Sequence, residues 1–213
     1  MTSISKEPAV PVFIFLIMFT TLPLMASTGD SLKRLYQRTL SRIQINQIKT
    51  LQLYEIVKSK RFQTYNTVLT HHDVLNVSGI NHFPSYFTTF GQSQINNVSN
   101  FLLKHVEFSK LIRDALRCAL DDEIWLRSRH PNMVIYNGRI SHLINGINLF
   151  LLEVSTISAR LGNTFQPSSM SSVTFDPCDI TCVKQRGLFV LQEFQHYLQL
   201  SYGNFYNLLM HED

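Results

Sequence analysis

Four stretches of the chain repeat apolar residues at spacings of three and four, the period of a helix with one buried face. The first runs from Ser31 to Phe62 without a proline or glycine, and its stripe is Leu32, Leu35, Tyr36, Leu40, Ile43, Ile48, Leu51, Tyr54 and Val57. Asp30 or Ser31 supplies its N-cap, because a short side-chain oxygen there accepts a free N–H of the first turn. The second runs from Asn100 to Arg129, with Phe101, Phe108, Leu111, Ile112, Ala115, Cys118, Ala119 and Trp125 facing inward. It stops at His130-Pro131, since proline disfavours helix in the residue before it. The third, Gly138 to Leu161, has the most regular stripe: Ile140, Leu143, Ile144, Ile147, Phe150, Leu151, Val154, Ile157 and Leu161, with Gly162 as C-cap. The fourth runs from Ile180 to Met210, with Val183, Gly187, Val190, Leu191, Phe194, Leu198, Ser201, Phe205 and Leu208 inward. Residues 63–98 hold Gly79, Pro84 and Gly91 among Asn, Ser and Thr and show no sustained period, which predicts a long connection with at most a short helix or extended piece.

Connection lengths constrain direction. A helix of about 30 residues is about 45 Å long at ~1.5 Å per residue. Returning along it takes at least ~13 extended residues at ~3.5 Å each. The connection of about 36 residues between helices one and two allows a parallel pair, and so does the one of about 18 between three and four. The connection of about eight between two and three forces an antiparallel pair. The predicted fold is therefore all-α, a long-chain four-helix bundle with up-up-down-down topology and two long crossover loops.

Composition agrees with one packed domain: 45% of the 213 residues are apolar and 16% charged, which is enough for a core and unlike a disordered chain. The first residues change the picture. Lys6 precedes the apolar run Val12 to Phe19, bracketed by Pro11 and Pro23 and followed by Ala26-Ser27-Thr28-Gly29. A run this short, ending in small residues, is the pattern of a cleaved signal peptide over residues 1–26, with an uncleaved anchor as the alternative. Residues 27–213 then form the mature domain. Two sequons, at Asn76 and Asn97, fit the exported route as glycosylation sites. The net charge of +4 suits work near acidic glycans or receptors and is too small to argue for nucleic acid. Of the three cysteines, Cys118 falls in a helical pattern as a small core residue, and Cys178 with Cys182 could pair only around a tight turn.

Catalytic and metal chemistry finds little purchase. Glu193-Phe194-Gln195-His196 is one Glu-x-x-His motif, but a di-iron bundle needs two. Glu193 and His196 are read as solvent-facing helix residues, and His71-His72-Asp73 as a polar loop. No Gly-rich phosphate loop and no Gly-x-Ser-x-Gly elbow is present. We expect no enzyme activity, no cofactor and no metal.

The fourth helix resembles that of the interleukin-6 family of long-chain helical cytokines, through Gly187 to Leu198 and its continuation Ser201 to Leu208. The likeness is nearest to the subgroup of ciliary neurotrophic factor, cardiotrophin-like cytokine and leukaemia inhibitory factor. The third helix resembles theirs from His142-Leu143 to Ala159-Arg160-Leu161-Gly162, and the first loosely around Asn46-Gln47-Ile48-Lys49-Thr50-Leu51. It covers the bundle and not the loops. The resemblance implies three receptor surfaces. One lies at the start of helix four, where the family shows Phe-x-x-Lys; here Lys184 matches the lysine, while Thr181, beside Ile180, stands at the aromatic position. A second, for a shared signal-transducing chain, uses the outer faces of helices one and three, which offer Arg34, Arg38, Arg42, His142, Leu149, Glu153 and Arg160. A third, for an alpha receptor, lies at the end of helix four, where relatives carry an arginine and an aspartate and this chain has Leu200 and Asn204.

The sequence thus leads to a secreted, extracellular ligand, monomeric when free, that brings cell-surface cytokine receptors together. It is not inserted in membrane after signal cleavage and does not bind nucleic acid. The rivals are a hormone-like or antagonist bundle of another long-chain family, and a helical enzyme or lipid carrier.

Overall fold

The computed structural model describes residues 31–62, 80–81, 98–163 and 172–212. The expected leader over residues 1–26, His71-His72 and both sequon asparagines, Asn76 and Asn97, lie outside the described residues. The elements are α1 (Leu32–Phe62), β1 (Ile80–Asn81), α2 (Val98–Arg129), α3 (Asn137–Arg160), β2 (Thr174–Phe175) and α4 (Ile180–Met210). The four helices pack against one another as an all-α bundle. β1 and β2 add a two-residue antiparallel pair, Ile80 opposite Phe175 and Asn81 opposite Thr174. This is the extended piece that the irregular residue 63–98 stretch allowed.

Local chemistry sets the helix ends. Ser31 Oγ accepts the Arg34 N–H at 3.4 Å, which starts α1. Asp179 accepts the Cys182 N–H at 2.8 Å and caps α4. Replacing Asp179 with alanine should cost about 1 kcal/mol, read as a lower midpoint in urea denaturation. α3 ends in a left-handed glycine, Gly162 at φ 77°. The Asn163 N–H reaches Ser158 O at 3.0 Å and the Gly162 N–H reaches Ala159 O at 3.1 Å, so the last carbonyls are paired.

All four helices contribute to one aromatic centre. The Phe205 ring of α4 lies 5.9 Å from Phe101 of α2, 5.8 Å from Phe150 of α3 and 6.5 Å from Tyr36 of α1. Edge-to-face rings at these separations add a little to the energy of their burial. Around them close Ile43, Leu53, Leu102, Ile112, Leu116, Leu143, Val154 and Leu198. α3 is long and apolar enough to cross a membrane by length and composition. Its Ile140, Leu143, Ile144, Ile147, Phe150, Val154 and Ile157 are instead buried in this core. α1 packs tightly on α3 at Gly146, where a Cβ would overlap the Asn46 amide.

Several inward assignments need correction. Ile48 and Leu51 of α1 are 58% and 47% exposed, while Asn46 and Thr50 are buried. The Thr50 hydroxyl donates to Asn46 O at 2.7 Å, which satisfies it inside the bundle. Trp125 and Leu161 sit partly in solvent. Glu193, expected to face water, is buried, whereas His196 one turn on is exposed. Cys118 is half-buried rather than a core residue, and its thiol donates to Val173 O.

Candidate functional site

The outer side of the α1–α3 pair is the first surface. Arg42 Nε meets Glu153 Oε1 at 2.9 Å across the two helices. Glu153 was expected on the open face with Leu149; it is only 5% exposed and lies in the seam between helices. There it fixes the half-exposed Arg42 guanidinium. Leu149 is in solvent as anticipated, at 45% exposure, and so are Leu152, Ile45 and Ile48. Ile45 stands three residues after Arg42, and Leu149 four before Glu153. Helical spacing therefore sets both beside the ion pair. Arg34, Arg38, His142 and Arg160 are exposed on the same two helices. The pattern is aliphatic side chains around an oriented cation, which suits a protein interface.

The start of α4 forms the second surface. Thr181 is exposed, and Ile180 and Lys184 are half-buried. A disulfide between Cys178 and Cys182 spans the Asp179 cap. Beside it opens a groove of about 540 Å³, walled by Cys118, Asp121, Trp125, Phe175, Pro177 and Cys178. Its floor is tied down by Arg186, which grips Asp122 at 3.0 and 2.7 Å, donates to Asp176 O and stacks 4.7 Å over Phe175. Burial raises the Asp122 carboxyl pKa, and hydrogen bonding to Arg186 opposes the rise. Burial, together with Asp121, Asp122 and Asp114, raises the Cys118 thiol pKa. Cys118 is therefore held protonated at neutral pH and is a poor nucleophile.

At the end of α4, Leu200 and Asn204 are half-buried. The more prominent feature is one that sequence reasoning missed. Tyr202 and Tyr206 stack at 6.4 Å with rings 15° apart, Tyr206 is 46% exposed, and Met210 follows at 53%. Gln44 of α1 holds Tyr202 by a 3.2 Å bond to its hydroxyl. The signal was present: aromatics at i and i+4, off the apolar stripe of their own helix.

The three surfaces stand on different elements, and no described contact joins them into one cleft. Among the described residues, no three His, Cys, Asp or Glu side chains are grouped to hold a metal ion. No family model, curated protein or solved structure matches this chain. The cytokine resemblance therefore stands on the residues quoted for it.

Proposed function

We propose that this chain is a secreted helical cytokine that binds and assembles cell-surface receptors, including a shared signal-transducing chain. The observation that carries the reading is the α1–α3 surface. Four aliphatic side chains of these two helices stand in water, and two of them, Ile45 and Leu149, flank an Arg42 held by a buried glutamate, an arrangement that suits a partner surface. Preformed helices also lose little freedom on binding, which favours tight association.

The proposed topology is up-up-down-down, and paired residues support it. Arg61 near the end of α1 bonds Glu123 near the end of α2, while Tyr36 near the start of α1 meets Phe205 near the end of α4. Arg186 at the start of α4 reaches Asp122 in the last turns of α2. Arg42 pairs with Glu153, and Asn46 with the earlier Gly146, as in an antiparallel α1–α3 pair. Crossover loops over residues 63–97 and 163–179, a leader over 1–26 and glycans at Asn76 and Asn97 complete the proposal.

A second reading is favoured by the start of α4. With Thr181 at the aromatic position and Ile180 half-buried, α4 itself presents no large exposed anchor at its start. A hormone-like or antagonist bundle with a single productive surface would look the same. Purified protein tested by surface plasmon resonance against a panel of interleukin-6-family receptor ectodomains separates the two. We expect Leu149→Arg to weaken capture by the shared chain at least ~tenfold with unchanged helicity, on the scale of losing an interface anchor. Absence of binding to every ectodomain, or equal binding by Leu149→Arg, would refute the assembly role.

A further inference from the structure

The charge of this protein is concentrated in one element. α1 carries eight Lys and Arg against one Glu, a formal +7. The whole chain sums to +4, so +4 less +7 leaves −3 for everything else. No acidic residue occurs between Ser31 and Tyr54. At 3.6 residues per turn, Arg34, Arg38, Arg42 and Lys49 fall within an arc of about 80° and span about 22 Å along the axis. Arg34, Arg38 and Lys49 are exposed, and Arg42 is held half-exposed by Glu153.

We propose that the Arg34–Lys49 face of α1 is a binding site for a linear sulfated polysaccharide. Guanidinium groups present paired N–H donors that match two oxygens of a tetrahedral oxyanion, and three of the four cations are arginines. The four cations share one narrow face, interrupted only by Ile45, so a polyanionic chain laid along the helix can reach each of them. A flat anionic membrane would need a broad basic face. Here the exposed Ile45 lies within the stripe and the exposed Ile48 and Leu149 border it, and the remaining −3 opposes approach to an extended negative surface. The inference is independent of the receptor reading, because charge and helix geometry alone carry it.

The test titrates the full chain with a heparin octasaccharide by calorimetry over a range of salt. We expect log K to fall linearly with log salt concentration, as counterions are released from the polyanion. The triple variant Arg34→Ser/Arg38→Ser/Lys49→Ser should lose at least ~tenfold in affinity at about 0.15 M salt and flatten the salt slope by about 2. Arg117→Ser/Arg127→Ser/Arg139→Ser removes the same charge from exposed positions on α2 and α3 and should stay within about twofold. In the unmutated protein, octasaccharide should shield Lys49 from acetylation and leave Lys110 and Lys184 reactive. Equal losses in both triples would overturn the site, as would unchanged Lys49 reactivity, equal binding of the desulfated octasaccharide, or tighter binding to phosphatidylserine vesicles.

Discussion

Replacing Glu123 with alanine is expected to destabilise the bundle by about 3–5 kcal/mol, the range for removing one partner of a buried ion pair. Both Arg61 guanidinium nitrogens Nη1 and Nη2 bond the Glu123 carboxylate at 2.7 Å, and the two side chains are 3% and 4% exposed. The same carboxylate accepts the Tyr136 N–H at 2.9 Å, and Arg61 donates to Val134 O at 3.1 Å while stacking 4.8 Å from the Tyr136 ring. One glutamate thus ties the end of α1, the last turns of α2 and the entry to α3. Removing it leaves a buried cation and an unpaired N–H with no water to turn to. For a chain of this size, thermal unfolding should drop by roughly 10 °C. The double variant Arg61→Met/Glu123→Leu tests the cause. If the loss comes from the stranded charge, removing both partners restores most of it, because desolvation costs nearly as much as a buried pair returns. If the double variant is as unstable as Glu123→Ala, the tie between helices matters more than the charge. A loss below about 1 kcal/mol for Glu123→Ala would mean that the pair is solvated.

That tie also marks where sequence stops informing. Arg61 and Glu123 are 62 positions apart and Arg186 and Asp122 are 64 apart; no local spacing rule joins them. The period of three and four placed all four helices within two residues of their ends, because caps and proline are local signals. α3 was read almost completely, since its buried positions are all aliphatic or aromatic apart from Glu153 and Ser158. α1 was misread at Ile48 and Leu51 because the period treats apolar as inward. Its buried face includes Thr39, Asn46 and Thr50, and the two threonines are satisfied by backbone carbonyls one turn earlier. The aliphatics displaced from that face, Ile48 and Leu51, stand in solvent. The same error in reverse hid Glu153 and Glu193, since a carboxylate on a helix is presumed wet until its neighbours are known. Leu149 was legible because it lies off the stripe of its own helix, and Tyr202 and Tyr206 could have been found in the same way.

Acid should loosen this bundle through His105. Its ring is 1% exposed, set 4.5 Å from Phe101 and 5.2 Å from Phe205, with Nδ1 3.0 Å from the Tyr197 hydroxyl. Tyr197 in turn contacts Ser109 at 2.8 Å and donates to His105 O at 3.1 Å. Burial pushes the His105 pKa down to about 3 and raises that of Tyr197 above its usual range. An unfolded chain takes up the His105 proton near 6.5, and the folded chain only near 3. The unfolded state therefore binds more protons between those values, so stability is fully present above pH 6.5 and lost as pH falls. The loss amounts to about 1 kcal/mol at pH 5.5 and about 3 kcal/mol by pH 4.5. His105→Gln keeps a neutral hydrogen-bonding side chain and removes the titration. Urea denaturation at a series of pH values should give a stability curve for His105→Gln that is nearly flat from pH 7 to 5, while the unmutated protein slopes. Carboxylates that titrate in both proteins cancel in the difference between the curves. If the two slopes coincide, His105 takes up its proton in the fold as readily as in the unfolded chain, and its polar triad with Tyr197 and Ser109 must then be open enough to hydrate a charge.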